Sequence, residues 1–155
     1  MNFWLFKTEP DDCSIDDLAA AGGTGLPWDG IRNYQARNFL RDEVQEGDRV
    51  LIYHSSCAQV GLAGIARVIR GSYVDPDQFD PNSSYYDSKA TADNPRWYCV
   101  DIAFTHKFSR VIRLAELKNR PELASMVLLR QGRLSVQPVS SQEWGVITKL
   151  AGTVS

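Results

Sequence analysis

The segment Arg49–Arg70, Arg-Val-Leu-Ile-Tyr-His-Ser-Ser-Cys-Ala-Gln-Val-Gly-Leu-Ala-Gly-Ile-Ala-Arg-Val-Ile-Arg, decides between the folds open to this chain. The apolar run in Arg49–His54 predicts one strand, Gln59–Gly61 predicts a turn, and Leu62–Arg70 predicts a second strand. A connection this short leaves no room for the helix that joins parallel strands in a βαβ array. Gly64 lies inside the second strand, where glycine marks either a plain bulge or the close approach of a ligand or another backbone.

Short strands and short helices alternate along the rest of the chain. The predicted strands are Phe3–Lys7, Trp97–Lys107 and Arg133–Gln137, and the predicted helices are Ile15–Ala20, a helix from Asn33 to about Asp42, Leu114–Lys118, Pro121–Leu128, and a closing helix from Ser140 to about Leu150. Gly71–Pro95 is predicted to be a long ordered loop, either pinned by its aromatic residues or acting as a mobile lid. Together these elements predict an α+β fold, a small mixed β-barrel of five to six strands with short flanking helices.

Composition limits the class of protein and its partners. The chain has 155 residues and a mass of 17.4 kDa, which predicts a single domain over residues 1–155. A formal charge of -2 and a pI near 5.7 argue against binding that depends on neutralising a long phosphate backbone, so any contact with nucleic acid should be local. The three cysteines lack zinc-ligand spacing and are expected to be reduced. Without an apolar span or a signal sequence, we expect no membrane association and a cytoplasmic location.

The stretch Trp28–Asn38, Trp-Asp-Gly-Ile-Arg-Asn-Tyr-Gln-Ala-Arg-Asn, combines aromatic, amide and guanidinium groups around a glycine just before a predicted helix. Such groups suit a flat polar ligand, because rings cover its faces while amides and guanidinium groups bond along its edge. A nucleobase is the obvious candidate. The alternative is structural, with Trp28 in the core and Asn33 capping the helix.

A second polar segment, Tyr53–Cys57, follows a predicted strand and presents His54, Ser55 and Ser56 where that strand ends. Strand ends are common places for binding groups, so these three residues join the candidate base-binding set.

Six segments together resemble the EVE domain family, which includes the thymocyte nuclear protein group. The resemblance covers nearly the whole chain and rests on Trp4–Pro10, Trp28–Asn38, Tyr53–Ser55, Gly64–Ala66, Asp93–Trp97 and Arg133–Pro138. It implies a PUA-like barrel related to YTH and ASCH domains. It also implies a binding module that reads a modified nucleobase in DNA or RNA, with modified cytosine in DNA, such as 5-methyl- or 5-hydroxymethylcytosine, as the usual expectation.

The resemblance also implies roles for individual residues. Trp28 would flank the base, Arg32, Asn33 and Tyr34 would line its pocket, and Ser55 and Ser56 would offer hydrogen bonds from the opposite strand. Trp97 stands near the position of a cage tryptophan in YTH domains, although packing against the long loop is the alternative. Further contacts to a phosphate or to the base edge are expected from Lys7, Arg133 and Ser135.

Two other classes of function stay open. The chain is expected not to be an enzyme and to need no metal or cofactor. The alternative is an enzyme that acts on a modified base, RNA or a small amide, with Lys7, Glu9 and His54 as acid and base groups. A protein-interaction domain would instead expose an apolar patch. The expected partner is nucleic acid bound by a monomer, and the chain resembles the stand-alone bacterial members of the family.

Overall fold

Six strands form one mixed sheet in the computed structural model, which describes residues 1–152. In chain order they are β1 (Phe3–Thr8), β2 (Leu26–Trp28), β3 (Arg49–His54), β4 (Gly61–Val74), β5 (Tyr98–Arg113) and β6 (Val136–Val139). Their order across the sheet is β2-β5-β4-β3-β1-β6, with β1 and β3 parallel and the other neighbours antiparallel. The predicted α+β class with a mixed sheet of up to six strands is confirmed.

The central strands are buried on both faces because their apolar residues alternate between two cores. In β3, Val50 and Ile52 belong to an inner cluster, while Leu51 and Tyr53 belong to an outer one. Successive side chains of a strand point to opposite faces, so a continuous apolar run is what a sheet covered on both sides requires.

The sheet curls on itself. Phe6 of β1 and Trp28 of β2 have ring centroids 5.5 Å apart, although three strands separate β1 from β2 in the sheet order. Shifts of register between β4 and β5 mark bulges, which bend strands and increase their twist. All six strands, or the residues next to them, contribute to the inner cluster, which is therefore the interior of the predicted barrel.

Within residues 1–152, five α-helices flank the sheet. They are α1 (Ile15–Ala21), α2 (Tyr34–Asp42), α3 (Leu114–Lys118), α4 (Val127–Arg130) and α5 (Ser141–Leu150). Capping boxes begin α1 and α5, since the hydroxyl of Ser14 accepts from the Asp17 amide at 3.1 Å and that of Ser140 accepts from the Glu143 amide at 3.1 Å, as the spacing of Ser14 with Asp17 and of Ser140 with Glu143 in the sequence predicts. Helices α1 and α2 pack against the inner cluster, and α5 packs against the outer one.

Gly64 combines the two roles that its position predicted. The pairing of β4 with its neighbours shifts beside it, and an added Cβ would lie 2.4 Å from the His106 carbonyl oxygen and 2.7 Å from Ile15 Cδ1. The close approach is therefore made by a strand and a helix of the same domain.

Three predicted boundaries were wrong. The last strand is Val136–Val139 and not Arg133–Gln137, because Pro138 is tolerated in a strand at the end of the sheet. The strand predicted over Trp97–Lys107 runs on to Arg113, because it pairs along the length of β4. The single helix predicted over Pro121–Leu128 is instead a 3₁₀ turn at Pro121–Leu123 followed by α4.

The predicted loop Gly71–Pro95 begins as the end of β4 and is then ordered by buried hydrogen bonds. Gln78 donates to the carbonyls of Asp75 and Trp97 at 2.6 and 2.8 Å and accepts from the Arg96 and Trp97 amides. The Trp97 indole donates to Asp87 at 2.8 Å. These contacts tie the loop to the start of β5.

A membrane-spanning helix was not expected, and over residues 1–152 none of the helices has the length and apolar character to cross a bilayer.

Candidate functional site

A cavity opens at the seam where the two ends of the curled sheet face each other. Over residues 1–152, β2 pairs with β5 alone and β6 with β1 alone, so backbone hydrogen bonds between β2 and β6 do not close the seam. We call the opening the seam cavity. Its wall comprises Lys7, Thr8, Glu9, Asp12, Cys13, Leu26, Pro27, Trp28, Asp29, Gly30, Ile31, Ser55, Tyr85, Gly132, Arg133 and Ser135. The volume of about 760 Å³ is within the range of sites for small organic groups.

Trp28 is one of the two aromatic residues in the wall of the seam cavity, with Tyr85. Its backbone pairs with Val100 of β5, its ring packs on Phe6 at 5.5 Å, and only 6% of the residue is exposed. The ring thus serves both of the readings that the sequence left open, because it belongs to the core and also to the cavity wall. Leu26, Pro27 and Ile31 make the adjoining wall apolar.

Two cationic residues, Lys7 and Arg133, lie on the side of the cavity formed by β1 and the segment before β6. The Lys7 ammonium donates to the Gly132 carbonyl and lies 5.3 Å from the centre of the Tyr53 ring. Partial burial lowers the pKa of Lys7. Ser135 is held beside them because its carbonyl accepts from the Lys7 amide at 2.9 Å.

Hydroxyl groups come from the ends of β1 and β3. The Ser55 amide donates to the Thr8 carbonyl at 2.9 Å, which continues the β1–β3 pairing one residue beyond β3 and brings Ser55 to the cavity. The Thr8 hydroxyl donates to the Cys13 carbonyl at 2.9 Å. Burial and the acidic neighbours Asp17, Asp12 and Asp29 raise the pKa of the free Cys13 thiol to about 11, so this thiol is a poor nucleophile at neutral pH.

Asp29 is one of three acidic residues in the wall, with Glu9 and Asp12, and the turn that follows it is held by residues from the long loop. Asp75, whose side chain is fully buried, accepts from the Gly30 amide and the Arg32 guanidinium through one oxygen, each at 3.0 Å. Its other oxygen accepts from the Asp77 amide at 2.8 Å. Burial, a hydrogen bond with Asp77 and the charges of Asp77 and Asp75 raise the pKa of Asp29 to about 7.

The carboxyl groups of Asp29, Asp75 and Asp77 lie close together, each with an oxygen within 4.8 Å of the others. Both oxygens of Asp75 already accept hydrogen bonds, so this carboxylate holds the turn and the loop in place. The two neighbouring carboxyl groups are among the causes that raise the pKa of Asp29.

Four of the predicted base-binding residues lie outside the cavity wall, and three of them, Arg32, Tyr34 and Trp97, form an aromatic and arginine stack. Tyr34 stacks on Trp97 with centroids 4.9 Å apart, and the Arg32 guanidinium lies 5.3 Å from the Trp97 ring and 5.5 Å from that of Tyr85. Asn33 caps α2, since its side-chain oxygen accepts from the Ala36 amide at 2.9 Å. Arg32 bonds to the Tyr85 carbonyl at 2.9 and 3.1 Å and so positions Tyr85, which does line the cavity.

The two remaining candidates, His54 and Ser56, also lie outside the described wall. His54 is buried, its Nε2 accepts from the Ile15 amide at 3.1 Å, and burial lowers its pKa. Ser56 is exposed and has a positive φ of 55°. Of the acid and base groups of the enzyme alternative, Lys7 and Glu9 line the cavity, while His54 is engaged with the start of α1.

Sequence reasoning missed Asp29, Gly30 and Tyr85 as wall residues. Asp29 and Gly30 were in the stretch that drew attention, and the glycine has the positive φ of 74° that its turn needs. An added Cβ on Gly30 would lie 2.7 Å from the Tyr85 ring, so the turn and the loop fit closely. Their pairing depends on residues far apart in the sequence, which a pattern along the chain does not reveal.

The curled mixed sheet with a cavity at its seam defines a PUA-like domain. The EVE domain model matches residues 2–150, and the chain belongs to the EVE domain family. Human thymocyte nuclear protein 1 is 38% identical over 164 residues, which span 95% of this chain and 72% of that protein.

Two solved structures are similar in fold to this chain. The human THYN1 protein, in a crystal structure in complex with DNA containing 5-methylcytosine, is 36% identical, with coverage of 100% of both chains and a TM-score of 0.92. The YTH domain of the Zygosaccharomyces rouxii MRB1 protein, in complex with N6-methyladenosine RNA, is 14% identical over 99% of this chain and 88% of that chain, with a TM-score of 0.55. The second likeness shows that the YTH fold is shared.

Proposed function

We propose that this protein is a binding module that reads a modified nucleobase, with a modified cytosine in DNA as the preferred ligand, and that the base enters the seam cavity. The observation that carries the proposal is the set of residues that line the seam cavity. An indole, apolar side chains, hydroxyl groups and two cations meet in a cavity of about 760 Å³. The complex of the human THYN1 protein with DNA containing 5-methylcytosine supports the choice of base.

In such a reader, the free energy spent on extracting the base is offset by the free energy gained from contacts in the cavity. Extracting a base from a stack costs a few kcal/mol, and stacking on an aromatic ring returns about 1 to 3 kcal/mol per base. In our proposal Trp28 supplies the stacking, and Ser55 and Ser135 supply hydrogen bonds along the base edge. Leu26, Pro27 and Ile31 offer an apolar surface to a 5-methyl group.

Lys7 and Arg133 are proposed to contact the phosphates that flank the extracted base. The wall also carries Glu9, Asp12 and Asp29, so attraction to a phosphate would come from direct contact with these two cations and not from the net charge of the cavity. Arg32, Tyr34 and Trp97 would then act indirectly, since their stack supports the turn at Gly30 and the ring of Tyr85, and Asn33 would act as the cap of α2.

We propose binding without catalysis. Two of the three potential acid and base groups are used in structural contacts, since Lys7 donates to the Gly132 carbonyl and His54 accepts from the Ile15 amide. A reader needs only the stacking surface and the polar edge of the cavity.

The test is a fluorescence anisotropy titration of short duplexes that carry one 5-methylcytosine or one cytosine at the same position. Burying one methyl is worth about 0.8 kcal/mol, so the methylated duplex should bind about fourfold more tightly. Replacing Trp28 by alanine should weaken binding about 5- to 150-fold, which corresponds to the loss of one stacked base.

Arg133→Ala tests the phosphate contact. The variant should weaken binding to both duplexes equally and lower the slope of log Kd against log salt by about one. Arg110→Ala is the matched control. Arg110 is an exposed arginine of β5, outside the cavity wall, and it pairs with Glu116 of α3. Equal affinity for both duplexes, unaffected by Trp28→Ala, would contradict the proposed function.

A further inference from the structure

The ring of Tyr34 is an exposed aromatic surface that lies outside the seam cavity. Tyr34 is 51% exposed, although its ring stacks on the buried Trp97 with centroids 4.9 Å apart and an angle of 25° between the rings. The Arg96 guanidinium donates to the Tyr34 hydroxyl at 3.4 Å. The ring is therefore held in one orientation, which reduces the entropy cost of stacking a ligand on it.

Arg37 provides a second guanidinium group at this ring, 4.9 Å from the centre of Tyr34. Its Nε donates to the Asn38 side chain at 2.8 Å and its Nη1 to the Arg96 carbonyl at 2.6 Å. Within residues 1–152, Arg37 forms no salt bridge and its Nη2 has no hydrogen-bond partner. We call the exposed Tyr34 ring with the guanidinium groups of Arg37 and Arg96 the Tyr34 platform.

Two acidic residues of the neighbouring segments are each engaged by other groups. Asp87 accepts from the Trp97 indole at 2.8 Å, and the Arg96 guanidinium lies 3.8 Å from the same carboxylate oxygen. Asp42, on the same helix as Arg37, accepts from Arg41 at 2.8 and 2.9 Å. The carboxylates therefore have partners of their own, and the cations of the Tyr34 platform keep donors for a ligand.

Arg32 connects the Tyr34 platform to the mouth of the seam cavity. Its guanidinium lies 5.3 Å from the Trp97 ring, on which Tyr34 stacks, and 5.5 Å from the ring of the wall residue Tyr85. Two of its nitrogens donate to the Tyr85 carbonyl at 3.1 and 2.9 Å. Tyr85 is 40% exposed, so a strand that leaves the cavity past this ring would meet the platform next.

An exposed aromatic ring beside guanidinium groups suits an unpaired nucleotide. Bases of any identity stack on aromatic side chains, and arginine bonds to phosphate through parallel N–H donors. Extraction of one base leaves the next base of the strand without a stacking neighbour on one side, so a ring at that place would cover it. An acidic peptide would use the two arginines but would leave the Tyr34 ring uncovered, and nucleic acid is therefore the better match.

We infer that the Tyr34 platform is a second nucleic-acid-binding surface: a nucleotide that flanks the extracted base stacks on Tyr34, and its phosphate binds Arg37 and Arg96. This inference rests on the proposed reading of a modified base in the seam cavity. Because stacking and phosphate contacts do not depend on base identity, the platform adds affinity for the strand, and the choice of base stays with the cavity.

The first test uses nine-nucleotide single strands that carry 5-methylcytosine or cytosine at the centre. Tyr34→Leu should weaken the binding of both strands by the same factor, about 5- to 150-fold, which corresponds to the loss of one stacked base. The preference for 5-methylcytosine should stay as it is. Tyr34→Phe keeps the ring and should bind within about threefold of the unchanged protein. Thermal melting verifies that both variants are folded.

The second test is the salt dependence of binding to the same strands. Arg37→Gln removes one proposed phosphate contact, so the slope of log Kd against log salt should fall by about 0.7, the value for one contact to a single strand. Arg41→Gln is the matched control, because Arg41 lies on the same helix, is 39% exposed and is paired with Asp42. The control should leave both the affinity and the slope unchanged.

The outcomes separate the inference from the proposed function. If Tyr34→Leu and Arg37→Gln bind as the unchanged protein does, while Trp28→Ala still weakens binding, the inference is overturned and the reader stands. Loss of the preference for 5-methylcytosine in Tyr34→Leu would also overturn it, because the residue would then act only by supporting the cavity wall.

Displacement of the strand by polyglutamate as efficiently as by an unlabelled strand would overturn the inference in favour of an acidic protein partner. Binding that ignores both cytosine methylation and Trp28→Ala would remove the reader itself. The effect of Tyr34→Leu is a common factor on both strands, so failure of the platform and failure of the reader give different results.

Discussion

Replacing Asp75 by alanine should destabilise the protein strongly, because this residue joins the cavity wall to the long loop. Its side chain is fully buried and accepts three hydrogen bonds, from the Gly30 amide, the Arg32 guanidinium and the Asp77 amide, at 2.8 to 3.0 Å. Removing one partner of a buried ion pair costs about 3 to 5 kcal/mol. Arg32 is 21% exposed, so water recovers part of this cost and we expect a loss near the lower limit, about 3 kcal/mol.

The assay is urea denaturation followed by tryptophan fluorescence, with the free energy of unfolding extrapolated to water. Asp75→Asn should lose about half as much, since an amide keeps one acceptor oxygen. Asp42→Asn is the control, because Asp42 pairs with Arg41 on the exposed surface and its change should leave the denaturation midpoint in place. A loss below about 1 kcal/mol for Asp75→Ala would refute the view that Asp75 organises the wall.

Three further predictions concern the scaffold. Gly64→Ala should lower the free energy of unfolding by about 1 to 3 kcal/mol, because its Cβ would lie 2.4 Å from a backbone oxygen, whereas Gly23→Ala meets no atom within 4 Å and should cost less in the same denaturation assay. Gly145→Ala should stabilise by about 0.5 to 1 kcal/mol, since the residue lies inside α5 with open space around its Cβ, and a lower melting temperature would contradict this. His54 has a pKa lowered by burial, so the unfolded chain takes up its proton first and the native state should lose stability as pH falls through about 6.5. His54→Gln should remove that part of the loss, which paired melts at pH 7.5 and 5.5 would measure, and an identical loss in both proteins would count against the assignment.

The features that the sequence predicted correctly are those that depend on residues close together in the chain. Both capping boxes and the Asn33 cap depend on residues three apart, so their spacing is visible along the chain. The strand Arg49–His54 was predicted with its observed limits, because its apolar run is bounded by polar residues. The tight turns between strands and the small number of helices predicted the barrel, and the resemblance to the EVE domain family implied the same PUA-like fold.

The candidate site could not be predicted in full, because it is built by contacts between residues that are far apart in the sequence. Asp29 and Asp75 are brought together only because β4 returns the chain to the turn after β2, 45 residues away as measured from Gly30. The stack of Tyr34 on Trp97 likewise joins residues from α2 and the start of β5. Aromatic and arginine residues in one short stretch therefore suggested a single pocket, whereas the fold divides them between the seam cavity and the stack that supports it.

A crystal structure of the protein with a short duplex containing one 5-methylcytosine would test the central claim most directly. We predict that the methylated base lies outside the helix, in the seam cavity, with its ring on Trp28 and its edge against Ser55 and Ser135. A complex in which that base remains stacked in the duplex, and the protein binds DNA through another surface, would contradict the account.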